Sequence, residues 1–181
     1  MQGELLISIA REAISDKLHG THSIDMHKLV EDNHEFTKKM ATFVTLTLNG
    51  QLRGCIGSVV PHRTLLEDLV SNAQSAAFND PRFMPLSCEE FDDIKIEVSL
   101  LSEPKRFMYE SIKELKERVT YADGVILKQG HLQATFLPQV WEQLPTFELF
   151  FSHLCEKAGM GEECLREHPE IFLYQVEKFK E

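Results

Sequence analysis

Two short stretches of alternating apolar and polar residues, joined by Asn49-Gly50, constrain the fold of this chain more than any other feature. Before Asn49-Gly50, Val44 and Leu46 alternate with threonines over residues 42–48. Alternation with a period of two is typical of a half-buried β-strand. Asn-Gly is a strong signal for a tight turn between antiparallel strands. The sequence therefore predicts a β-hairpin whose second strand lies within residues 52–58.

The register of this hairpin decides which side chains of the second strand reach the core. A two-residue turn would set Leu46 opposite Arg53, whereas a turn with Gly50 in a left-handed bulge position would set Leu46 opposite Leu52. We predict the bulged turn, because a slip of one residue moves every side chain to the other face. This register assigns to the core face Val44, Leu46, Leu52 and Ile56. It assigns to the opposite face Thr45, Arg53 and Cys55.

The remainder of residues 1–181 interleaves helical and strand patterns over a length typical of one domain. Capping-box spacings occur at Thr64 and Glu67 and again at Ser87 and Glu90, where the second box starts only a short turn. Helices are predicted at residues 5–18, 64–77, 111–119 and 146–158. Strands are predicted at residues 42–49, 52–58, 94–101, 124–128, 132–137 and 172–179. This order predicts an α+β fold with a mixed, largely antiparallel sheet flanked by helices.

Charge and hydropathy argue against several classes of function. The formal net charge is −10 at pH 7, which disfavours binding to nucleic acid or to an anionic membrane surface. No apolar run is long enough to span a membrane, and the first residues lack the regions of a signal peptide. We therefore expect a cytoplasmic protein whose four cysteines, none of them in a C-x-x-C pair, are free thiols.

Cys55 is the main candidate for chemistry. Arg53 lies two residues before it, and a neighbouring arginine favours a thiolate. Cys55 could thus be a nucleophile, a metal ligand or a redox thiol, and the alternative is a small buried thiol between Gly54 and Gly57. Arg53 could bind a carboxylate or a phosphate, or form an ion pair with Asp80 or a glutamate. If Arg53 is partly exposed, Arg53→Ala should leave the fold nearly intact.

Two loops fixed by prolines are candidates for the rim of the same site. Asp80 and Arg82 flank a proline, and they could line the site or only hold the loop in shape. Thr135 and Gln139 lie where a strand ends at a proline. Polar groups at strand ends often line a pocket, although Gln139 could equally satisfy loop backbone groups.

A cluster of residue types that suits zinc occurs near the C-terminal end, at His153, Cys155, Cys164 and His168. On a helix, positions 153 and 155 lie about 200° apart, so both cannot reach one ion. We therefore predict no metal site, and we expect Cys155 to be buried and unliganded.

Several spaced motifs, in the same order, resemble those of the AMMECR domain family in its bacterial and archaeal form. They cover nearly the whole chain. The motifs include Leu52-Arg53-Gly54-Cys55-Ile56-Gly57, Asp80-Pro81-Arg82-Phe83, Ile96-Glu97-Val98-Ser99-Leu100-Leu101-Ser102 and Ala134-Thr135-Phe136-Leu137-Pro138-Gln139-Val140-Trp141. The resemblance implies an α+β fold in which a larger and a smaller lobe meet at a cleft. It also implies a protein encoded beside a Memo-type protein and a radical SAM protein, in the AmmeMemoRadiSam system. The family's activity is not established.

These observations together predict a cleft that binds a small polar or anionic ligand around Arg53 and Cys55. Cys55 is the expected catalytic residue if the protein is an enzyme, or a component of one, that acts with Memo-type and radical SAM proteins. No cofactor is predicted. The alternative is a non-catalytic subunit that binds a partner protein. The expected ligand-binding residues are Arg53, Gly54, Gly57, Ser58, Asp80, Arg82, Thr135 and Gln139.

Overall fold

The computed structural model describes residues 2–181, which form two compact units. The first unit comprises the described residues up to Leu101 together with Glu177–Glu181, and the second is Ser102–Val176. The helices are α1 (Gln2–His19), α2 (Met26–Asp32), α3 (Leu65–Phe78), α4 (Cys88–Phe91), α5 (Ile112–Arg118) and α6 (Phe147–Lys157). The strands are β1 (Ala41–Leu48), β2 (Gln51–Gly57), β3 (Ile94–Leu101), β4 (Lys105–Phe107), β5 (Gly124–Gln129), β6 (Leu132–Phe136), β7 (Glu170–Tyr174) and β8 (Val176–Lys180). The predicted α+β class with antiparallel strands is confirmed, and the strands are divided between two sheets.

The first unit is built on a four-stranded sheet with the strand order β2-β1-β3-β8. Helices α1 and α3 contact each other and the strands, so both cover the same face of the sheet. Val44 and Leu46 of β1 and Ile96 and Val98 of β3 are fully or almost fully buried in this core. Because successive side chains of a strand point to opposite faces, the residues between them lie on the face away from these helices.

Both capping boxes that the sequence predicts are present. Thr64 accepts a hydrogen bond from the Glu67 N–H at the start of α3, and Ser87 accepts one from the Glu90 N–H at the start of α4. In each box the glutamate side chain bonds back to the N–H of the cap. Helix starts are predictable here because the signal lies within four consecutive residues.

The predicted register of the hairpin between β1 and β2 is wrong near the turn. Asn49 and Gly50 both have positive φ angles, 52° and 77°, as in the two-residue turns that match the twist of antiparallel strands. Thr47 therefore pairs with Leu52, and the ladder shifts by one residue before Leu46 pairs with Gly54. Leu52 is 42% exposed, whereas Leu46 is fully buried, so the two do not share the core.

The register shift has a packing cause at Gly54. A Cβ atom at this position would lie 2.1 Å from the Ala76 carbonyl oxygen of α3, so only a glycine fits against the helix. Arg53 is the extra residue of the bulge that returns Gly54 to the helix-facing side. Beyond the bulge the pairs differ from the predicted register, but the predicted faces are confirmed for four residues: Val44 pairs with Ile56 on the helix-facing side, and Thr45 pairs with Cys55 on the other.

The second unit contains the other four-stranded sheet, with the strand order β4-β7-β5-β6, and helices α5 and α6. Its core is rich in aromatic side chains. The rings of Trp141 and Phe150 are stacked with their centroids 3.6 Å apart, and Trp141 Nε1 donates to the Asp123 carbonyl at 3.1 Å. Stacked rings of this size contribute a large share of the apolar surface that a small core buries.

The single strand predicted at residues 172–179 is instead two strands that belong to different sheets. β7 lies between β4 and β5, and β8 lies beside β3. The break falls at Gln175, whose carbonyl accepts the Ser102 N–H and whose N–H donates to Ser102 Oγ, both at 2.9 Å. The alternation of apolar residues continues across the break, so the sequence pattern does not reveal it.

The prediction that all four cysteines are free is wrong for two of them. Cys155 and Cys164 form a disulfide, while Cys55 and Cys88 are free thiols. Cys155 lies near the end of α6, and the chain returns in a 3-10 turn (Cys164–Glu167) that packs against it. Cys155 is fully buried, as predicted, but it is bonded to Cys164.

Candidate functional site at the edge of strand β2

The backbone of Cys55 lies at the outer edge of the first sheet, where the side chains of a loop take the place of a neighbouring strand. The Cys55 N–H donates to Asp80 Oδ2 at 2.9 Å, and Arg82 Nη2 donates to the Cys55 carbonyl at 3.4 Å. The loop is shaped locally, since the Arg82 N–H donates to Asp80 Oδ1 and the Phe83 N–H donates to the Asp80 carbonyl, both at 3.1 Å. Edge strands need such cover, because unpaired backbone groups are open to pairing with another chain.

Asp80 and Arg82 form a two-point ion pair with unequal exposure. Arg82 Nε lies 2.9 Å from Asp80 Oδ1, and Nη2 lies 2.7 Å from Oδ2. The side chain of Asp80 is 2% exposed and that of Arg82 is 54% exposed. The hydrogen bonds from Arg82 hold the pKa of Asp80 well below its usual range, despite burial that would raise it. The guanidinium is thereby fixed in orientation, with its Nη1 end left without an acceptor among the described residues.

The thiol of Cys55 contacts Thr45 on the neighbouring strand. Cys55 Sγ and Thr45 Oγ1 are 3.2 Å apart, and both residues are half-buried. The pKa of Arg82 is raised, chiefly by its hydrogen bonds to Asp80. Arg82 Nη2 donates to the backbone carbonyl of the same cysteine at 3.4 Å, so the guanidinium lies beside this residue.

A row of polar side chains continues across the sheet from this thiol. Thr45 pairs with Cys55 on one side and with Glu97 of β3 on the other. Glu97 forms ion pairs with Lys180 at 2.8 Å and with Lys178 at 3.5 Å. Because Val44 and Leu46 face the helices, this row lies on the opposite face of the sheet.

Arg53 does not bind Asp80, and its partner is Glu90 of α4. Arg53 Nε and Nη2 lie 2.7 and 2.9 Å from the two carboxylate oxygens of Glu90. These hydrogen bonds lower the pKa of Glu90 to about 2 and raise the pKa of Arg53. The Phe83 ring lies 5.8 Å from Arg53 Cζ and 5.5 Å from Arg82 Cζ, within cation–π range of both.

The two glycines and Ser58 have evident packing roles. Gly54 accommodates the α3 backbone, and a Cβ at Gly57 would come within 2.2 Å of the Phe43 ring. Ser58 Oγ donates to Asp68 Oδ1 at 2.7 Å. Asp68 is fully buried and also accepts hydrogen bonds from other polar groups of the first unit. Their contribution to a ligand site stays a prediction.

Thr135 and Gln139 belong to the second unit. Thr135 Oγ1 donates to the Val125 carbonyl at 2.9 Å and lies 3.0 Å from the hydroxyl of buried Tyr174. Gln139 is exposed in the 3-10 turn Pro138–Glu142. Burial raises the pKa of Tyr174 to about 12, so its hydroxyl stays neutral and donates to the Phe136 carbonyl. That Thr135 and Gln139 share a site with Cys55 stays a prediction.

The described residues offer neither a cluster of metal ligands nor a membrane-spanning helix. Within residues 2–181, no group of three or more His, Cys, Asp or Glu side chains is placed to hold a metal ion. Over the same residues, no helix is both long and apolar enough to cross a membrane.

The family model of AMMECR1 matches residues 7–179, nearly all of the chain. The chain belongs to the AMMECR1 family. A protein of Methanothermobacter thermautotrophicus is 36% identical over 188 residues, which cover 99% of this chain and 94% of the relative. A protein of Methanosarcina mazei is 38% identical over 154 residues, covering 84% of this chain and 77% of the relative. The crystal structure of an uncharacterized protein from Pyrococcus horikoshii is similar with a TM-score of 0.84 and 33% identity, covering 99% of this chain and 91% of that one.

Within this AMMECR1-family chain, sequence reasoning missed two residues that the structure joins to the predicted site. Thr45 was assigned to the face of Cys55, but the predicted pairing of Leu46 with Leu52 sets Arg53 opposite Thr45, so its contact with the sulfur was not predicted. Glu90 was assigned only to a capping box. Nothing in the sequence indicates that the same carboxylate also binds Arg53, since the two are 37 residues apart.

Proposed function

We propose that this AMMECR1-family protein binds a small anionic or polar ligand beside the Cys55 thiol, and that Arg82 is the principal contact for the anionic group. One observation carries the proposal: buried Asp80 fixes a half-exposed guanidinium beside Cys55, with Arg82 Nη2 donating to the Cys55 carbonyl at 3.4 Å. A guanidinium that is oriented before binding loses less freedom when an anion arrives. Arg53 contributes to the field, but Glu90 occupies two of its donor atoms.

The role proposed for Cys55 is that of a nucleophile or a ligand-binding thiol, in an enzyme or in a component of one. Reactive cysteines commonly lie beside a positive group, and the Arg82 guanidinium donates to the backbone carbonyl of Cys55. Asp80 partly offsets that charge, but it binds the Nε and Nη2 side of the guanidinium and leaves Nη1 for a ligand. A carboxylate or a phosphate monoester suits this end of the side chain.

The test compares alkylation of the native protein by iodoacetate, an anion, and by iodoacetamide, its neutral analogue. Peptide-resolved mass spectrometry gives both rates at Cys55 and at Cys88, the other free thiol, which is exposed on α4. We expect the ratio of the two rates to be several-fold higher at Cys55. Arg82→Gln should reduce the ratio at Cys55 alone, and inorganic phosphate or acetate should slow alkylation there.

Two variants serve as controls. Arg82→Lys keeps the charge and should retain part of the selectivity. Arg166→Gln removes an arginine whose side chain is 71% exposed in the second unit, and it should leave the ratio unchanged. Equal ratios at Cys55 and Cys88, or a ratio at Cys55 that survives Arg82→Gln, would show that no anion site exists at this edge.

A second candidate function is that of a non-catalytic subunit that binds the Memo-type and radical SAM proteins of the AmmeMemoRadiSam system. Two exposed apolar side chains favour it. Leu52, which is 42% exposed, directly precedes Arg53, and Met84, which is 81% exposed, directly follows Phe83. Single exposed apolar side chains are common, but a pair beside a candidate site suits a partner protein. Co-purification of the three proteins tests this function. Leu52→Ser with Met84→Ser should abolish an interaction that Cys55→Ser leaves intact, and an interaction that persists in the double variant would contradict docking at these side chains.

A further inference from the structure

The pairing of β1 with β2 brings the side chains of Thr45 and Cys55 as close as this ladder allows. The Ser58 N–H donates to the Thr42 carbonyl at 2.9 Å, so Thr42 and Ser58 occupy a hydrogen-bonding position of the ladder, although the Thr42 N–H donates to Asp68 instead. In an antiparallel ladder such pairs alternate with pairs that exchange no backbone bonds, and side chains approach most closely in the latter. Thr45 and Cys55 are three positions along this register and belong to the second kind. Consistently, the Cys55 N–H bonds outward to Asp80.

The Thr45 hydroxyl and the Cys55 thiol are hydrogen-bonded to each other. Among residues 2–181, the structure shows one hydrogen bond for each of these side-chain atoms, the 3.2 Å contact between Thr45 Oγ1 and Cys55 Sγ. Threonine is branched at Cβ and therefore holds a narrow range of χ1 angles. The hydroxyl position is thus set by the strand itself, and the sulfur is held to a defined place on the sheet.

We infer that Thr45 is a positioning residue for the Cys55 sulfur, an assignment that rests on the ligand site proposed above and deepens it. A hydroxyl is both a donor and an acceptor. The neutral thiol donates its S–H to Thr45 Oγ1, and the ionised sulfur accepts the Thr45 O–H. The same contact therefore holds the sulfur before and after it loses its proton. Arg82 attracts the anion, and Thr45 keeps the sulfur where that anion arrives.

The test separates this role from simple packing by using valine, which has nearly the shape of threonine but no hydroxyl. The S–H stretching band in the infrared reports hydrogen bonding by a thiol directly. A Cys88→Ser background leaves Cys55 as the free thiol, because Cys155 and Cys164 are in a disulfide. In that background the frequency of the band is compared between the protein with Thr45 and Thr47 unchanged and three variants, Thr45→Val, Thr45→Ser and Thr47→Val. Thr47 is the matched control, since it lies two residues along β1 and pairs with Leu52.

We expect the S–H band to move to the frequency of an unbonded thiol in Thr45→Val, to return in Thr45→Ser, and to stay in place in Thr47→Val. A band unaffected by Thr45→Val, or displaced equally by Thr47→Val, would overturn the assignment. The iodoacetate-to-iodoacetamide ratio at Cys55 tests the anion site separately, because Arg82 governs it. If Cys55 and Cys88 give the same ratio in the protein without substitutions, the proposed anion site is refuted. The S–H band then tests the role of Thr45 independently.

Discussion

Arg53 and Glu90 form a two-point ion pair that joins strand β2 to helix α4, with only 13% of the arginine side chain and 28% of the glutamate side chain exposed. The expectation that Arg53→Ala leaves the fold nearly intact assumed a partly exposed side chain, and the observed burial does not support it. Removing one partner of a mostly buried pair leaves the other without compensation. Arg53 is therefore a poor position at which to separate function from folding.

The energetic coupling of this pair is the first prediction. Arg53→Ala and Glu90→Ala should each lower the free energy of unfolding by about 1–3 kcal/mol, and the double variant should lose less than their sum. Urea denaturation of the three variants measures the coupling. The same cycle at Lys113 and Glu117, an ion pair with side chains 86% and 63% exposed, should give a coupling near zero. Similar couplings at both pairs would contradict the argument from burial.

Gly54→Ala is expected to destabilise the first unit. The added Cβ would lie 2.1 Å from the Ala76 carbonyl oxygen, and a helix backbone cannot move aside as a side chain can. We expect a loss of about 1–3 kcal/mol, the usual cost of forcing extra volume into a packed core. Gly161→Ala is the control, because the added methyl group would meet nothing within 4 Å and the φ of Gly161 is not positive. Equal melting temperatures for Gly54→Ala and the parent protein would refute this account of the bulge.

The disulfide should contribute measurably to stability. Cys155 and Cys164 are nine positions apart, and the chain-entropy model gives about 2.5 kcal/mol for a loop of this length. Dithiothreitol should lower the denaturation midpoint of the parent protein and leave that of the Cys155→Ala/Cys164→Ala variant unchanged. A thiol titration of the unreduced, denatured protein should find Cys55 and Cys88 alone. Reactive Cys155 or Cys164 in that titration would show that the bond is not formed.

Acid should weaken the turn that follows α1. Burial would raise the pKa of Asp16, but hydrogen bonds from Thr21 and Ser23 prevail and lower it to about 2. A carboxyl group with a depressed pKa in the folded protein stabilises it above the unfolded value of about 4 and loses that effect as the pH falls through the folded value. The stability difference between the parent protein and Asp16→Asn should therefore shrink from about pH 4 to about pH 2, as followed by urea denaturation. A difference independent of pH over this range would contradict the assignment.

Local sequence signals predicted the elements of this fold well, because the relevant interactions lie within a few residues. The capping box at Thr64 and Glu67 and the turn at Asn49-Gly50 are of this kind. The bulge at Arg53 is different, since it depends on how Gly54 meets α3, a contact across 22 positions in the chain. No local pattern contains that information.

The sequence indicated some residues of the candidate site, but not how they pair. Sequence reasoning selected Cys55, Asp80 and Arg82, which the structure joins by hydrogen bonds. It did not decide between Asp80 and a glutamate as the partner of Arg53, because the carboxylate of either residue can bind a guanidinium. The choice is made by the short helix α4, which presents Glu90 to β2.

The position of β8 in the first sheet has a consequence for synthesis on the ribosome. β8 follows the whole of the second unit in the chain, yet it pairs with β3 and its Lys178 and Lys180 bind Glu97. While residues 102–176 emerge from the exit tunnel, the sheet of the first unit lacks its last strand and β3 has an unprotected edge. Such an edge can pair with another nascent chain. The first sheet can therefore be completed only after a strand encoded about 75 codons beyond the end of β3 has been translated.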